Sequence, residues 1–222
     1  HEVEERAFEQ ATETEIADTI KVMGGEDWAA WVAALREAGL LAGGFRTVAY
    51  SYVGPGVTQA VYRFGTIGRA KEHLEATAHE LAAGADIDGA WVSINTGAVT
   101  QASAAIPGVP LYISVLFKEM KSRGLHESAI DQLVRLFRDH IGPGVSPSTD
   151  EEGRIRLDDR EMLSEVQSVV ENAWHTLSTE NLYELSDYAG YQRDFRRLFG
   201  FDVDGIDYEA PTEVHRELGR PG

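Results

Sequence analysis

Two side chains in the stretch AYSYVGPGVTQAVYRFGTIGRAKEHLE, residues 49–75, could do chemistry together: Tyr62, a neutral proton donor, and Lys71, a cation. They stand nine residues apart. In an unbroken α-helix each residue turns about 100°, so nine residues turn about 900° and leave the two side chains on opposite faces. A shared role therefore requires a break in the helix. The run Arg63-Phe64-Gly65-Thr66-Ile67-Gly68 supplies one, because Gly65 can end a first helical segment and Thr66 can cap a second. A lysine near the start of that second helix opposes the helix dipole, which asks for a reason. Taken singly, Tyr62 also suits half-buried core and Lys71 also suits solvated surface.

The elements that must position this pair can be read from hydrophobic spacing. FRTVAYSYV reads as a strand, β-branched and aromatic, after a Gly-Gly turn. TIGRAKEHLEATAHELAAG reads as a strong helix with Gly84 past its end, and GAWVSINTGAV as a second buried strand. Before them, residues 1–12 read as a charged leader with His1 as a tag remnant. Two helices follow around Gly24-Gly25, and Trp28, Trp31, Val32 and Leu35 share one face of the second. After them, residues 100–125 form an apolar helical stretch interrupted at Ile106-Pro107, then HESAIDQLVRLFRDHI forms another amphipathic helix. The loop GPGVSPSTDEEGR marks a boundary, so the chain divides into residues 1–146 and 147–222. Beyond it Met162, Val166, Val169, Val170, Ala173 and Leu177 share a helical face. Strands alternating with helices imply an α/β layer with a parallel sheet.

Composition narrows the function classes. The chain has 222 residues, 20 basic and 37 acidic, for a formal charge of −17. That balance argues against nucleic acid and against an anionic membrane, both of which need clustered Lys and Arg. Cysteine is absent, which removes disulfides, thiolate metal sites and cysteine nucleophiles and fits a reducing cytoplasm. The acidic start does not read as a signal peptide, and no apolar run reaches the roughly 18 residues of a membrane span. The histidines show no metal spacing, and neither G-x-x-x-x-G-K-[ST], G-x-S-x-G nor a strand-linked G-x-G-x-x-G occurs. Short-chain carbonyl reductases set Tyr and Lys four apart on one helix face, and Y-x-x-x-K is absent too.

Several separated motifs then fall in order: the stretch containing Tyr62 and Lys71, NTGAVTQASAAIPGVPLY, RIRLDD, and DYAGYQRDF before GFDVDGIDYEA. Together they resemble the trans-2-enoyl-CoA reductase and enoyl-acyl-carrier-protein reductase family with the Y-x8-K signature, from about residue 22 to 210. The resemblance implies the C-terminal half of a Rossmann-type, short-chain-dehydrogenase-like parallel sheet with a helical substrate-binding lid. It also implies a monomer about twice this length whose Gly-rich pyrophosphate turn precedes these residues. The implied reaction is NADH-dependent reduction of the 2,3-double bond of an enoyl-CoA or enoyl-acyl-carrier-protein in fatty acid metabolism. Hydride goes to C3 and negative charge builds on the thioester oxygen, where a donor is needed.

Carried onto this sequence, the resemblance makes Tyr62 the catalytic donor. Lys71 becomes the cofactor-binding lysine, expected to lower the tyrosine pKa. Tyr52 becomes a substrate contact, and Ala98, Val99 and Thr100 a cofactor-binding segment. Tyr191 is a further candidate against plain core packing, and residues 104–117 suit either core or acyl channel. Residues 147–210 resemble a segment sometimes labelled flavin-binding, yet show no flavin cradle, and hydride from NADH needs no FAD. Arg193, Arg196 and Arg197 could offer a basic patch to an acidic carrier protein. The rival reading is a partner-dependent or inactive binding module.

Overall fold

The computed structural model describes residues 2–5, 7–211 and 213, so His1 and the end of the 147–222 segment lie outside the described residues. The elements run α1 (Glu13–Met23), α2 (Glu26–Glu37), β1 (Arg46–Ser51), α3 (Gln59–Tyr62), α4 (Thr66–Ala82), β2 (Gly89–Ile94) and α5 (Gln101–Ala105). There follow α6 (Val109–Ser122), α7 (Ala129–Leu136), β3 (Ile155–Arg156), α8 (Ser164–Thr176), α9 (Leu182–Leu185) and α10 (Tyr188–Arg197). Residues 2–5 and 7–11 form no helix or strand.

The three strands form one parallel sheet in the order β1-β2-β3. β1 and β2 pair over their full lengths, Arg46 opposite Gly89 through Ser51 opposite Ile94. A parallel pair needs a long crossover, and α3 with α4 provides it, so β1-α3-α4-β2 is a βαβ unit. β3 adds only Ile155 and Arg156, opposite Ser93 and Ile94. This strand escapes a reading of hydrophobic runs, since RIRLDD alternates with charge over too short a span. It also joins the segment after the Gly/Pro loop to the sheet formed before it.

Helix boundaries follow local chemistry. Thr12 and Glu15 form a reciprocal capping box at the start of α1. The cap of α4 is Gly65, not Thr66, which is the first helical residue and makes no capping hydrogen bond. The break expected at Pro107 lies between α5 and α6, where Gly108 takes the left-handed conformation (φ 77°) that only glycine adopts without strain. On α2, Val32 is buried and Trp28 packs beside it, but Trp31 turns outward to solvent. On α8, Val166 and Val170 are buried while Val169 is exposed, a narrower apolar face than the spacing implied.

The largest core cluster centres on α6. Tyr112, Ile113, Leu116, Phe117 and Met120 meet Val166 and Val170 of α8, Tyr191 of α10, and Tyr62. Burying each such side chain contributes about 1.5–3 kcal/mol, so α6 is the mechanical centre to which the Tyr62 region is fastened. Among the described residues no helix is long and apolar enough to cross a membrane.

Candidate active site

The break between α3 and α4 does what joint action requires. Tyr62 closes α3, and its neighbours Arg63 and Phe64 both donate their amides back to the Gln59 carbonyl. Gly65 then runs extended (φ −89°, ψ −174°) before α4 restarts the helix in a new direction. Lys71 is the sixth residue of α4, so it sits in the second turn and avoids the unfavourable first-turn position. Its ammonium nitrogen lies 5.6 Å from the centroid of the Tyr62 ring. The two side chains converge.

Lys71 is not a surface cation. Only 9% of it is exposed, and its Nζ donates to Ser51 Oγ at 2.9 Å at the end of β1. Burial pulls its pKa down to about 8, opposed by the Glu75 carboxylate and reinforced by Arg63. Tyr62 is pushed the other way, up to about 12, first by burial and then by the charge of Glu161 and by Tyr191. The expectation that Lys71 depresses the tyrosine is therefore corrected. At neutral pH the phenol is a firmly protonated donor, because burial and the nearby Glu161 charge both favour its neutral form.

Tyr52 follows β1 and packs edge-on against Tyr62, ring centroids 4.8 Å apart. Its hydroxyl donates to Glu161 Oε1 at 2.7 Å, and the Tyr112 hydroxyl donates to the same oxygen at 2.7 Å. The Gly97 amide donates to Glu161 Oε2 at 2.7 Å. Glu161 is 0% exposed, and burial raises its pKa to about 7 against the lowering effect of those three donors. Residues 95–100 leave the end of β2 in this region. Thr100 caps α5 in a reciprocal box with Ser103, whose Oγ also donates to the Ala98 carbonyl.

A cavity of about 310 Å³ lies beyond the C-terminal ends of β1 and β2. Parallel α/β sheets bind ligands in this place. Ser51, Tyr52, Tyr62, Lys71, Gly97, Ala98 and Thr100 line it, with Ile106, Val109 and Ile113 as an apolar wall. Ala98 and Thr100 thus border the Tyr62 cavity, whereas Val99 borders a neighbouring one of about 280 Å³ with Phe117, His126 and Ile130. Tyr191 is buried in the same core cluster as Tyr62, stacked on Tyr188, and its buried hydroxyl has no hydrogen-bond partner among the described residues. Within residues 104–117, Val109, Tyr112, Ile113, Val115, Leu116 and Phe117 are buried in the core, and Ile106, Val109 and Ile113 also line the cavity. Arg196 and Arg197 are ion-paired with Asp202 and Asp204, which weakens the basic patch expected there.

Residues 1–141 match the family model described as the trans-2-enoyl-CoA reductase catalytic region. The chain belongs to the trans-2-enoyl-CoA reductase family. Residues 149–212 match a second model, described as the enoyl reductase FAD binding domain. The chain is 55% identical to an enoyl-[acyl-carrier-protein] reductase [NADH] of Opitutus terrae, over 96% of this chain and 55% of that protein. It is 51% identical to the enzyme of that name in Coxiella burnetii, over 98% of this chain and 54% of the relative. Its fold is similar to that of a Treponema denticola trans-2-enoyl-CoA reductase crystallised with NAD, with TM-score 0.86 and 50% identity. That match covers 91% of this chain and 51% of the other. The Clostridium acetobutulicum enzyme with NAD also gives a TM-score of 0.86, at 43% identity over 91% of this chain and 53% of that one. The chain spans about half the length of the relatives it matches.

Sequence reasoning missed Glu161, Tyr112, Ser51 and Gly97. Glu161 lies in the charged run DDRE, where nothing distinguishes a buried carboxylate from solvated neighbours. The one available signal was chemical: a buried lysine and buried tyrosines in an α/β fold need polar partners, and these supply them. Among the described residues no cluster of three or more His, Asp or Glu could hold a metal ion.

Proposed function

We propose that this chain forms the catalytic half of an NADH-dependent enoyl-thioester reductase, built on the C-terminal part of a Rossmann-type sheet. The observation that carries the reading is the convergence of Tyr62 and Lys71 across a helix break, beside a cavity at the strand ends. Bound NADH would supply a hydride to C3 of the substrate. The donor set fits a nicotinamide ribose: the Lys71 ammonium and the Ser51 hydroxyl border the cavity, with the Gly97–Thr100 segment opposite. Lys71, Ala98 and Thr100 would hold the cofactor, and Val99 would shape that segment from its far side.

Tyr62 then presents a neutral O–H where charge develops on the thioester oxygen, and its pKa of about 12 keeps it a donor throughout. Tyr52 braces the Tyr62 ring and borders the substrate space. The apolar wall of Ile106, Val109 and Ile113 suits the acyl portion of the substrate. We read NADH as delivering hydride directly, without a flavin. Residues 149–212 commit Val166, Val170 and Tyr191 to the core around α6. The thioester partner is CoA or acyl carrier protein, and the pairing of Arg196 and Arg197 with aspartates favours CoA.

The test is NADH oxidation with crotonyl-CoA by this chain alone and by the chain fused behind the N-terminal half of the Opitutus terrae relative. Activity confined to the fusion supports a catalytic half that needs a partner half. A folded fusion that binds NADH and reduces no enoyl thioester contradicts the reading and returns the chain to a binding module.

A further inference from the structure

Glu161 is completely buried beside the reactive tyrosine, and the groups that donate to its carboxylate are neutral. Its Oε1 accepts from both Tyr52 and Tyr112, and its Oε2 accepts from the Gly97 amide. The Gln167 amide nitrogen donates to its main-chain carbonyl at 2.6 Å, which fixes that amide as a donor toward Tyr112 as well. Among the described residues, the charged and titratable groups facing Glu161 include Asp158, Tyr52, Tyr62 and Tyr112, and Asp158 is itself paired with Arg156 at 2.6 Å. A single carboxylate thus ties together a tyrosine of the substrate wall, the backbone of the segment after β2, and the core helix α6.

We propose that Glu161 is a positioning residue of the reductase site, whose protonation decides whether the Tyr52 hydroxyl donates inward to the carboxylate or outward to the cavity. This rests on the reductase reading of the same site. An ionised carboxylate only accepts, so all three donors point at it and Tyr52 has no hydrogen to offer a ligand. Once protonated at Oε1, the group must donate to one tyrosine oxygen, and the hydrogen of that tyrosine must turn away. Tyr112 is 0% exposed, Gln167 meets it as a donor, and the acceptor left for its hydrogen is the Tyr52 oxygen, so on either route the hydrogen that is turned away is that of Tyr52. Tyr52 borders the cavity, where a thioester oxygen could accept. The switch therefore falls on Tyr52. A pKa of about 7 puts the change inside the working range of an enzyme.

The proposal is tested on two readouts. In this chain, the Gly97 amide resonance is followed against pH in the parent, Glu161→Gln and Tyr112→Phe. The parent should titrate with a midpoint about 7, Glu161→Gln should not, and Tyr112→Phe should titrate higher because the carboxylate has lost a donor. In the active fusion, KM for crotonyl-CoA should rise about three- to tenfold from pH 6 to pH 8, one hydrogen bond's worth, with kcat little changed. Because the phosphates of CoA titrate too, the decisive comparison is Glu161→Gln, whose KM should lose that step. A Gly97 resonance indifferent to Glu161, or a KM step that survives in Glu161→Gln, overturns the proposal. A fusion inactive with every enoyl thioester, while Gly97 still titrates, overturns the reductase reading and leaves the linkage standing.

Discussion

At the scale of single residues, the site holds Lys71 at a protonation cost that core packing alone does not require. Lys71 takes up its proton at about 8 in the folded chain and at about 10.5 when unfolded, so unfolding binds a proton between those values. Stability therefore rises as pH increases from about 8 to about 10.5, and the full penalty applies below 8. Each tenfold loss of proton affinity corresponds to about 1.4 kcal/mol, offset by the bond to Ser51 and the packing of the lysine stem. Replacing Lys71 with Met should stabilise the chain at pH 7 by on the order of 2 kcal/mol, seen as a higher melting temperature, while abolishing reduction by the fusion. A Met variant less stable than the parent would mean that the ammonium is better solvated than its burial implies. Tyr62 and Lys71 were legible in sequence as a pair needing a break. Their partners were not, because Ser51 is one of many serines and Glu161 one of many acids, and burial is a property of the whole fold.

At the scale of elements, the break is held open by close backbone packing. A Cβ on Gly68 would lie 2.0 Å from the Arg63 carbonyl oxygen and 2.3 Å from its carbon, atoms of the turn itself. In an ordinary helix Gly→Ala stabilises by about 1 kcal/mol. Here the sign should reverse: Gly68→Ala should cost about 2 kcal/mol by denaturant unfolding, the usual cost of overpacking. It should also reduce kcat in the fusion at least tenfold, as Tyr62 moves off Lys71. A neutral or stabilising Gly68→Ala with full activity would show that the turn has slack. The long helices, both principal strands and the Ile106-Pro107 interruption could be read from period and punctuation. β3 could not, since two residues carry no period, and Thr66 reads as a cap only because threonine suits either role.

At the scale of the whole molecule, an excess of 17 negative charges opposes compaction. Ion pairs such as Arg154 with Asp150 at 2.8 Å and with Glu75 at 3.4 Å relieve this locally and tie the β3 region to α4. Raising salt from about 0.01 M to about 0.15 M shortens the screening length from about 30 to about 8 Å. The melting temperature should therefore rise. A fall would mean that these partly buried pairs outweigh the general repulsion. The α/β class and the family were legible because several motifs keep their order over nearly the whole chain. The most direct measurement of the central claim is kcat for crotonyl-CoA in the fusion carrying Tyr62→Phe, with NADH affinity measured alongside. Losing one well-aimed donor to a developing oxyanion costs about 10²–10³ in kcat. A loss of that size with unchanged NADH affinity is predicted, and a Tyr62→Phe fusion that reduces crotonyl-CoA at the parent's rate would contradict the account.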